Sequence, residues 1–489
     1  MDEKIRAYIA RGCERADGSV YEKSVTKVGC GTLFMADCGS EDVLVAVDVA
    51  GFSGTGETVD GRSVVIAPLS HENAVVLRKL VPFTAPSSVL KEKRTIGLGD
   101  RLGIATDGHI RALEQYDAAP VFAQQSIREL TLTGRSFHDV LDCVSYAVFR
   151  NGFRRPFGAD GDHLKTEAEV QMAIDCGYTM ITLDCSEHIH GEVSAMSSQE
   201  VEERLGANPE LESRYLNKVF RVEEQEIRFD ADELRRTALI YGEALDFAAR
   251  IYHRFVEGKP LDFELSIDET ATPTTPAQHF FVASELQAKG VRPATVAPRF
   301  CGEFQKGIDY IGDVEQYAAE FAVHAAIART FGYKISIHSG SDKFSVFPVS
   351  GRLSRGNFHV KTAGTNWLEA MQVVAERQPQ LYREIHQYAL EHFAEATKYY
   401  HVTTDLSRVP ALENLSDAEL PGLFRLPDAR QLIHITYGLI LTAAAPDGSS
   451  LFRDRLYDFW RANRETYAEH LEKHIGRHLE LLYSEIAEG

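Results

Sequence analysis

Residues 337–348 read IHSGSDKFSVFP and give the strongest indication of the architecture. A mostly apolar run at 333–337 stops abruptly at His338, and Ser, Gly, Ser, Asp and Lys follow it directly. A buried strand that ends in a cluster of polar groups is the way in which α/β barrels present their chemistry. The same arrangement recurs at least five more times between residues 121 and 365. This repetition indicates an enzyme.

The recurring unit is a short apolar strand, a polar loop and an amphipathic helix. Strands are predicted at 121–123, 144–149, 179–183, 263–267, 294–297, 334–337 and 358–360. Helices are predicted at 167–176, 234–255, 314–331 and 366–375, where apolar residues recur at helical spacing. The repetition favours a parallel α/β architecture, most simply a TIM-like (β/α) barrel. A doubly wound open sheet has the same periodicity and is the alternative.

The regions around the predicted barrel domain, residues 116–445, have a different character. Residues 1–115 are rich in Gly, Val and turn signals and are predicted to form a β-containing N-terminal region. The charged, irregular segment 191–233 is interpreted as an insertion over the barrel mouth or as a helical excursion. Beyond about residue 375 the chain is predicted to be mostly helical, with long helices at 381–399 and 453–486, and 446–489 is assigned as a C-terminal helix.

Charge and composition exclude several classes of partner. The 489 residues are 44% hydrophobic and 25% charged, as in folded globular proteins, and the formal net charge is −20. Nucleic acids and anionic membranes favour a basic surface, so neither is an expected partner. No signal peptide or membrane-spanning run is apparent, and the seven scattered cysteines fit reduced thiols. We therefore expect a cytoplasmic enzyme with a small-molecule substrate. The sequence is compatible with a homo-oligomer and does not decide the oligomeric state.

A barrel active site needs side chains from several strand ends. Imidazoles and carboxylates on different strand ends are suitable ligands for a divalent transition metal. No HExxH-type motif is present, so the ligands are inferred from position alone. The candidates are Asp162, His163, Lys165, Asp184, His188, Glu269, His279, Arg299, Glu303, Lys306, His338, Asp342, Lys343 and Lys361.

Several of these residues have a structural alternative. His338 directly follows a strand, but a satisfied core histidine is the other interpretation. Thr-Thr-Pro at 274–276 predicts a helix start, from which His279 points back toward the barrel mouth or packs inside. Asp162 and His163 are adjacent, so an extended strand would turn them to opposite faces.

Other polar residues are also ambiguous. Asp184 is a suitable cap for a following helix. His474 and His478 have the i, i+4 spacing of a metal pair, although such histidines are far more often on a solvated helix face. Five cations fall on predicted active-site loops of an acidic protein, which favours a substrate with a carboxylate or phosphate group. They are Lys165, Arg299, Lys306, Lys343 and Lys361.

Five strings together resemble the tagaturonate epimerase family of hexuronate catabolism, some relatives of which act on ketohexoses as tagatose 4-epimerases. They are GADGDHLKT (158–166), DETATPTTPAQHF (268–280), PRFCGEFQKGIDY (298–310), IHSGSDKFSVFP (337–348) and HVKTAGTNWLEA (359–370). The resemblance covers residues 120 to 440. It implies a metal-dependent barrel enzyme that interconverts D-tagaturonate and D-fructuronate.

The implied reaction fits the candidate residues. The two uronates differ at the carbinol carbon β to the ketone, which enediol formation alone cannot invert, whereas retro-aldol cleavage, rotation and re-addition can. This route needs a Lewis acid, two carboxylate bases and cationic side chains that bind the carboxylate group of the uronate. The hypothesis makes His163, His279 and His338 ligands of zinc, manganese or nickel, and Asp162 and Glu269 the acid/base pair. Glu269 is equally suitable as a ligand.

The remaining candidates are assigned to substrate binding. They are Lys165, Asp184, Arg299, Glu303, Lys306, Asp342, Lys343 and Lys361. Three functions compete with the uronate epimerase: a metal-dependent ketose 4-epimerase for neutral sugars, a metal-dependent sugar aldolase, and a sugar-binding protein without activity. The last is disfavoured because six polar strand ends exceed what ligand orientation requires.

Overall fold

The computed structural model describes residues 3–14, 18–270 and 272–487. The other positions, which the predicted N-terminal, barrel and C-terminal regions also include, lie outside the described residues. The N-terminal region contains an antiparallel sheet in the order β1-β2-β3-β5-β4. Its strands are β1 (Thr26–Val28), β2 (Gly31–Asp37), β3 (Asp42–Val47), β4 (Thr55–Val59) and β5 (Arg62–Ala67).

Eight parallel strands close into a barrel, which confirms the predicted TIM-like fold and excludes the open sheet. The barrel strands are β6 (Arg94–Gly99), β7 (Ala119–Ser126), β8 (Gly158–Leu164), β9 (Met180–Asp184), β12 (Asp262–Ile267), β13 (Thr295–Pro298), β14 (Lys334–Ile337) and β15 (Phe358–Ala363). The last strand pairs with the first, so the sheet has no free edge. A hairpin of β10 (Phe220–Val222) and β11 (Gln225–Ile227) lies within the predicted insertion.

The helices enclose the barrel and extend it at the C-terminal end. They are α1 (Glu3–Ala10), α2 (His71–Leu80), α3 (Thr106–Leu113), α4 (Ile127–Thr133), α5 (Phe137–Asn151), α6 (Glu167–Asp175), α7 (Ser198–Leu205), α8 (Pro209–Tyr215), α9 (Ala231–Ile251), α10 (Pro276–Ala288), α11 (Val314–Phe331), α12 (Phe347–Leu353), α13 (Thr365–Arg377), α14 (Pro379–Ala396), α15 (Pro427–Ile435), α16 (Tyr437–Thr442), α17 (Arg453–Ala462) and α18 (Arg464–Tyr483). Among the described residues, every helix is too short or too polar to span a bilayer.

Three predicted elements differ from the structure. The apolar run 144–149 lies inside α5, where Ser136 caps the helix, so its prediction as a strand was wrong. A short apolar run has the same pattern in a buried helix and in a buried strand. The polar composition of 158–165, directly after the predicted strand 144–149, favours a loop, but residues 158–164 form β8. The predicted helix 453–486 divides into α17 and α18 at Asn463.

The barrel also begins earlier than the predicted boundary at residue 116. Its first strand, β6, reads RTIGLG, and two glycines make such a segment a poor strand by composition. The structure gives a reason for one of them. A Cβ at Gly97 would lie 1.7 Å from Gln124 Oε1, so only glycine lets the Gln124 side chain occupy that space.

Candidate active site

A cavity of about 320 Å³ opens at the C-terminal mouth of the barrel. Apart from His401, its polar lining comes from six strands or the segments that directly follow them, namely β7, β8, β12, β13, β14 and β15. The charged and polar lining residues are Gln124, Ser126, Arg128, Glu129, Asp162, His163, Asp268, Glu269, Thr270, Arg299, Glu303, Gln305, Lys306, His338, Ser339, Lys361 and His401. The predicted convergence of strand ends is therefore present.

Three of these side chains form a cluster with the chemistry of a metal site. His163, Asp268 and His338 each offer a donor atom, and these atoms lie within 4.8 Å of one another. The Nδ1 atom of His338 is buried, lies 3.3 Å from Asp268 Oδ1 and has no hydrogen-bond partner. A buried polar atom without a partner is costly unless something else satisfies it. Two imidazoles and a carboxylate from three strand ends fit a divalent transition metal.

Buried carboxylates orient the two histidines of this cluster. Asp162 Oδ1 lies 2.8 Å from His163 Nδ1, and Glu264 Oε1 lies 2.7 Å from His338 Nε2. Metal-binding histidines usually hold their other ring nitrogen in this way, because the contact fixes both tautomer and ring orientation. Burial opposes protonation of His338, but Asp268 and Glu264 outweigh it and raise its pKa to about 10.

Lys361 holds the carboxylates beneath the cluster. Its Nζ lies 2.7 Å from Asp160 Oδ2, 2.7 Å from Asp162 Oδ1 and 2.8 Å from Glu264 Oε1. Burial acts to raise the pKa of Glu264, but the charges of Lys361 and His338 hold it well below its usual range. Asp160 differs, because burial and its two acidic neighbours raise its pKa to about 7. Lys361 thus stabilises the ionised groups that orient the histidines.

A bulge in β8 brings both Asp162 and His163 to the cavity. The register of β8 against β9 shifts between Gly161 and Leu164, and His163 has a φ of 53°. A bulge changes the direction in which a side chain points, and a left-handed conformation is unfavourable for histidine. The expectation that adjacent residues face opposite ways therefore does not hold here.

Five predicted site residues lie outside the cavity lining: Lys165, Asp184, His279, Asp342 and Lys343. The prediction of His279 as a ligand was drawn from the helix start that it follows. The structure buries its ring in α10, with Nδ1 2.9 Å from His324 Nδ1 and Nε2 2.7 Å from the Tyr333 hydroxyl. Both ring nitrogens therefore have protein partners outside the cluster, which favours the alternative interpretation of His279 as a packing residue.

The Lys165 and Asp184 side chains face each other instead of the cavity. Lys165 Nζ lies 3.6 Å from Asp184 Oδ2 and donates to Ser186 Oγ at 3.1 Å. Asp184 also accepts the backbone N–H of Ser186 at 2.8 Å, a local turn contact and not the predicted cap of a following helix. The candidate His188 lies outside as well and pairs with Glu243 at 2.8 Å.

Asp342 and Lys343 hold the loop that follows β14. Lys343 is buried and its Nζ donates to the carbonyl groups of Gln305, Ile308 and Ser341 at 2.6–2.8 Å. This joins the β14 loop to the β13 loop, which carries Arg299, Glu303 and Lys306. Asp342 accepts from Arg430 at 2.8 Å. Both residues position the cavity walls and do not line the cavity.

The sequence interpretation missed several residues of the site. Asp268 follows β12 directly, and its neighbour Glu269 was chosen instead. Glu264 lies inside the apolar strand β12, where an isolated acidic residue is the available signal, whereas Asp160 lies in the polar segment that forms β8 and has no such signal. Arg128 and Glu129 begin α4, directly after β7. His401 lies between α14 and α15, and no strand pattern marks it.

The amino-acid sequence matches the family model described as tagaturonate epimerase over residues 21–482. The chain belongs to the tagaturonate epimerase family. A tagaturonate/fructuronate epimerase from Thermotoga maritima is 41% identical over 486 residues, which cover 98% of both chains. A glycerol complex of fructuronate-tagaturonate epimerase from Cohnella laeviribosi superposes with a TM-score of 0.93 at 50% identity, over 98% of this chain and 99% of that one.

The native crystal structure of the Cohnella laeviribosi protein gives the same TM-score, 0.93, at 49% identity over 98% of this chain and 99% of that one. The resemblance of the five strings to the tagaturonate epimerase family is therefore confirmed. Members of this family are named for an epimerisation, so the chain is an isomerase.

Proposed function

We propose that the protein is a metal-dependent epimerase that interconverts D-tagaturonate and D-fructuronate by retro-aldol cleavage and re-addition. The observation that carries this proposal is the cluster of His163, Asp268 and His338 at the floor of the cavity. The names of the Thermotoga maritima and Cohnella laeviribosi relatives support the substrate pair.

The residues that would hold the metal are His163, His338 and Asp268, with Asp268 in place of the predicted His279. His338 would use its free Nδ1, because its Nε2 is bound to Glu264. A divalent metal bound here supplies Lewis acidity to the ketone and hydroxyl oxygens of a sugar. Zinc, manganese and nickel all stay candidates for this metal, because two imidazoles and a carboxylate are suitable ligands for each of them.

The acid/base pair is proposed to be Glu269 and Asp162, both of which line the cavity. Glu269 is exposed to it and forms no ion pair with a described residue, so its carboxylate is free to accept a proton. A carboxylate takes the proton of the β-hydroxyl group, the bond between the α and β carbons breaks, and its electron pair passes to the ketone fragment, which becomes an enolate. The resulting aldehyde turns, the bond re-forms on its other face, and a proton returns to the new hydroxyl oxygen.

Binding of the uronate carboxylate is proposed for Lys306, Arg299 and Arg128. Lys306 Nζ donates to Ser339 Oγ at 3.2 Å and pairs with no carboxylate of the described residues. Arg299 lies 4.0 Å from Glu303, which leaves most of its donors available. Cations with free donors in a half-buried cavity favour an anionic sugar over a neutral ketose.

The test is carbon NMR of D-fructuronate with chelator-stripped enzyme, before and after addition of zinc, manganese or nickel. We expect D-tagaturonate signals only after metal addition. Conversion in the stripped enzyme would overturn the metal dependence. Release of a free aldehyde fragment would identify an aldolase instead, and turnover of D-tagatose in preference to the uronates would identify a neutral ketose epimerase.

A further inference from the structure

A second cavity of about 610 Å³ lies beside the β14 loop and shares no lining residue with the first. Helix α18 forms one side, and the segment that leads into α15 forms another. Asp342 lines it and belongs to the loop that begins with His338. The cavity therefore adjoins the loop that carries His338 of the candidate active site, and the two cavities have no lining residue in common.

Exposed cations surround this cavity. Arg425, Lys473 and Arg477 all line it, and none of them pairs with a carboxylate of the described residues. Lys473 and Arg477 are one helical turn apart on α18, and Arg477 lies over the Phe344 ring at 4.2 Å. Three such cations around one cavity are unexpected in a chain with a net charge of −20.

Three acidic residues also line the cavity, and two of them are paired with cations. The third, Asp309, accepts from the backbone N–H of Ser345 at 3.1 Å and from its hydroxyl at 3.0 Å, so one acidic side chain faces three exposed cations. Asp342 accepts from Arg430 Nη2 at 2.8 Å and lies 2.8 Å from His474 Nε2. Glu369 lies 3.1 Å from His474 Nδ1. Burial disfavours charged His474, but these two carboxylates outweigh it and raise its pKa. Asp342 and Glu369 are therefore already paired with cations.

The alternative occupant, a metal ion, does not fit. Donor atoms of Asp342, His474 and His478 lie close together, but His478 has no free nitrogen. Its Nε2 accepts the backbone N–H of Asp342 at 3.0 Å, and its Nδ1 donates to the carbonyl of His474 at 2.8 Å. The exposed arginine and lysine side chains still have free N–H groups, and such groups bind anions and not metal ions.

We infer that this second cavity is a binding site for a phosphate group. A phosphate dianion presents three terminal oxygens and is matched by several cations from different directions, whereas a carboxylate is satisfied by one arginine fork. Arg425 precedes α15 whereas Lys473 and Arg477 lie on α18, so cations from two different elements line the cavity. The ligand is inorganic phosphate or a phosphorylated sugar.

The test is isothermal titration calorimetry, in which the chelator-stripped, full-length protein is titrated with inorganic phosphate and, separately, with glucose 6-phosphate. Stripping prevents the proposed metal from capturing phosphate. We expect saturable binding of at least one probe, and Arg425→Ala with Lys473→Ala should weaken it about tenfold, because two charge-assisted contacts are lost. Binding of both probes indicates recognition of the phosphate group alone; binding of glucose 6-phosphate alone indicates a phosphorylated sugar.

Two control variants separate this site from other causes. Lys91→Ala with Lys398→Ala removes the same charge at exposed positions elsewhere, and Lys306→Ala removes a cation of the first cavity. Both should retain the affinity of the unmodified protein. Absence of saturable binding, an equal loss in the charge-matched control, or a loss confined to Lys306→Ala would overturn the assignment.

Discussion

Lys361 is the residue on which the charge balance beneath the candidate metal cluster depends. It is one buried cation facing Asp160, Asp162 and Glu264. Removal of one partner from a buried ion pair is strongly destabilising, because the other charges stay buried without compensation. From the sequence, Lys361 was placed at the end of a strand and assigned to substrate binding. The structure shows a group whose donors face protein carboxylates.

Replacement of Lys361 by methionine should lower the free energy of unfolding by about 3–5 kcal/mol, since three buried carboxylates lose their cation. Urea denaturation measures this loss. Lys165→Met is the matched control, because Lys165 is half-exposed and its acidic neighbours are 3.6–3.8 Å away. Its effect should stay within about 1 kcal/mol. Equal losses in both variants would contradict the role of Lys361.

His338→Ala should abolish metal binding, because it removes a proposed ligand whose buried Nδ1 has no hydrogen-bond partner among the described residues. His279→Ala should retain one metal per chain and lose stability only, since its ring packs against His324 and Tyr333. Elemental analysis of the purified variants measures metal content. Full metal content in His338→Ala would show that His338 is not a ligand. Metal loss in a folded His279→Ala variant would support the original prediction that His279 is a ligand.

Glu269→Gln should lower kcat by about 10²–10⁴-fold, the usual contribution of a general base. The amide keeps the size of the side chain, so KM and metal content should change little. Steady-state kinetics with D-fructuronate and elemental analysis measure both. Metal loss in this variant would instead make Glu269 a ligand, the alternative that its position left open.

Strand β8 shows at the element level what a sequence can and cannot predict. The apolar strands β12 and β14 are recognisable because their runs end abruptly in polar residues, and they led to Glu269 and His338. β8 contains Asp160 and Asp162, whose burial depends on Lys361 of β15. A cation 199 positions away in the chain leaves no local pattern. The position of His279 likewise depends on tertiary packing, here against α11.

Helix α18 anchors the loop after β14 through His474, whose ring contacts Asp342 and Glu369. Although burial opposes it, these carboxylates raise the pKa of His474 above its unfolded value of about 6.5. Its stabilising contribution is therefore fully present below about pH 6.5 and is lost as the pH rises through the folded pKa.

The difference in unfolding free energy between the natural protein and His474→Gln should accordingly shrink as the pH rises above neutrality. Urea denaturation over a series of pH values measures it. His392→Gln is the control, because the His392 ring contacts the Tyr388 carbonyl at 2.8 Å and no described carboxylate. Its difference should not follow the same trend. A pH-independent difference for His474→Gln would show that the contact is not ionic.

The N-terminal sheet contacts helices α5 and α18 through Asp42, which lies in β3. Its carboxylate contacts Arg150 of α5 at 3.1 Å and Arg464 of α18 at 2.9 Å. Arg150 also pairs with Asp107 of α3 at 2.7 Å. The N-terminal sheet, the barrel helices and the C-terminal helix thus share one buried ion network. Their unfolding should be coupled, although the described lining of the candidate active site comes mostly from the barrel strands and the segments that follow them.

Asp42→Asn should lower the free energy of unfolding by about 3 kcal/mol, because Arg464 loses its only close buried carboxylate among the described residues. Far-UV circular dichroism and the fluorescence of Trp367 and Trp460 should still report one shared midpoint. Glu57→Gln, which breaks a more exposed pair with Arg6, should cost within about 1 kcal/mol. Unchanged tryptophan unfolding, with loss of the sheet signal at lower urea, would show instead that the N-terminal sheet is an independent unit.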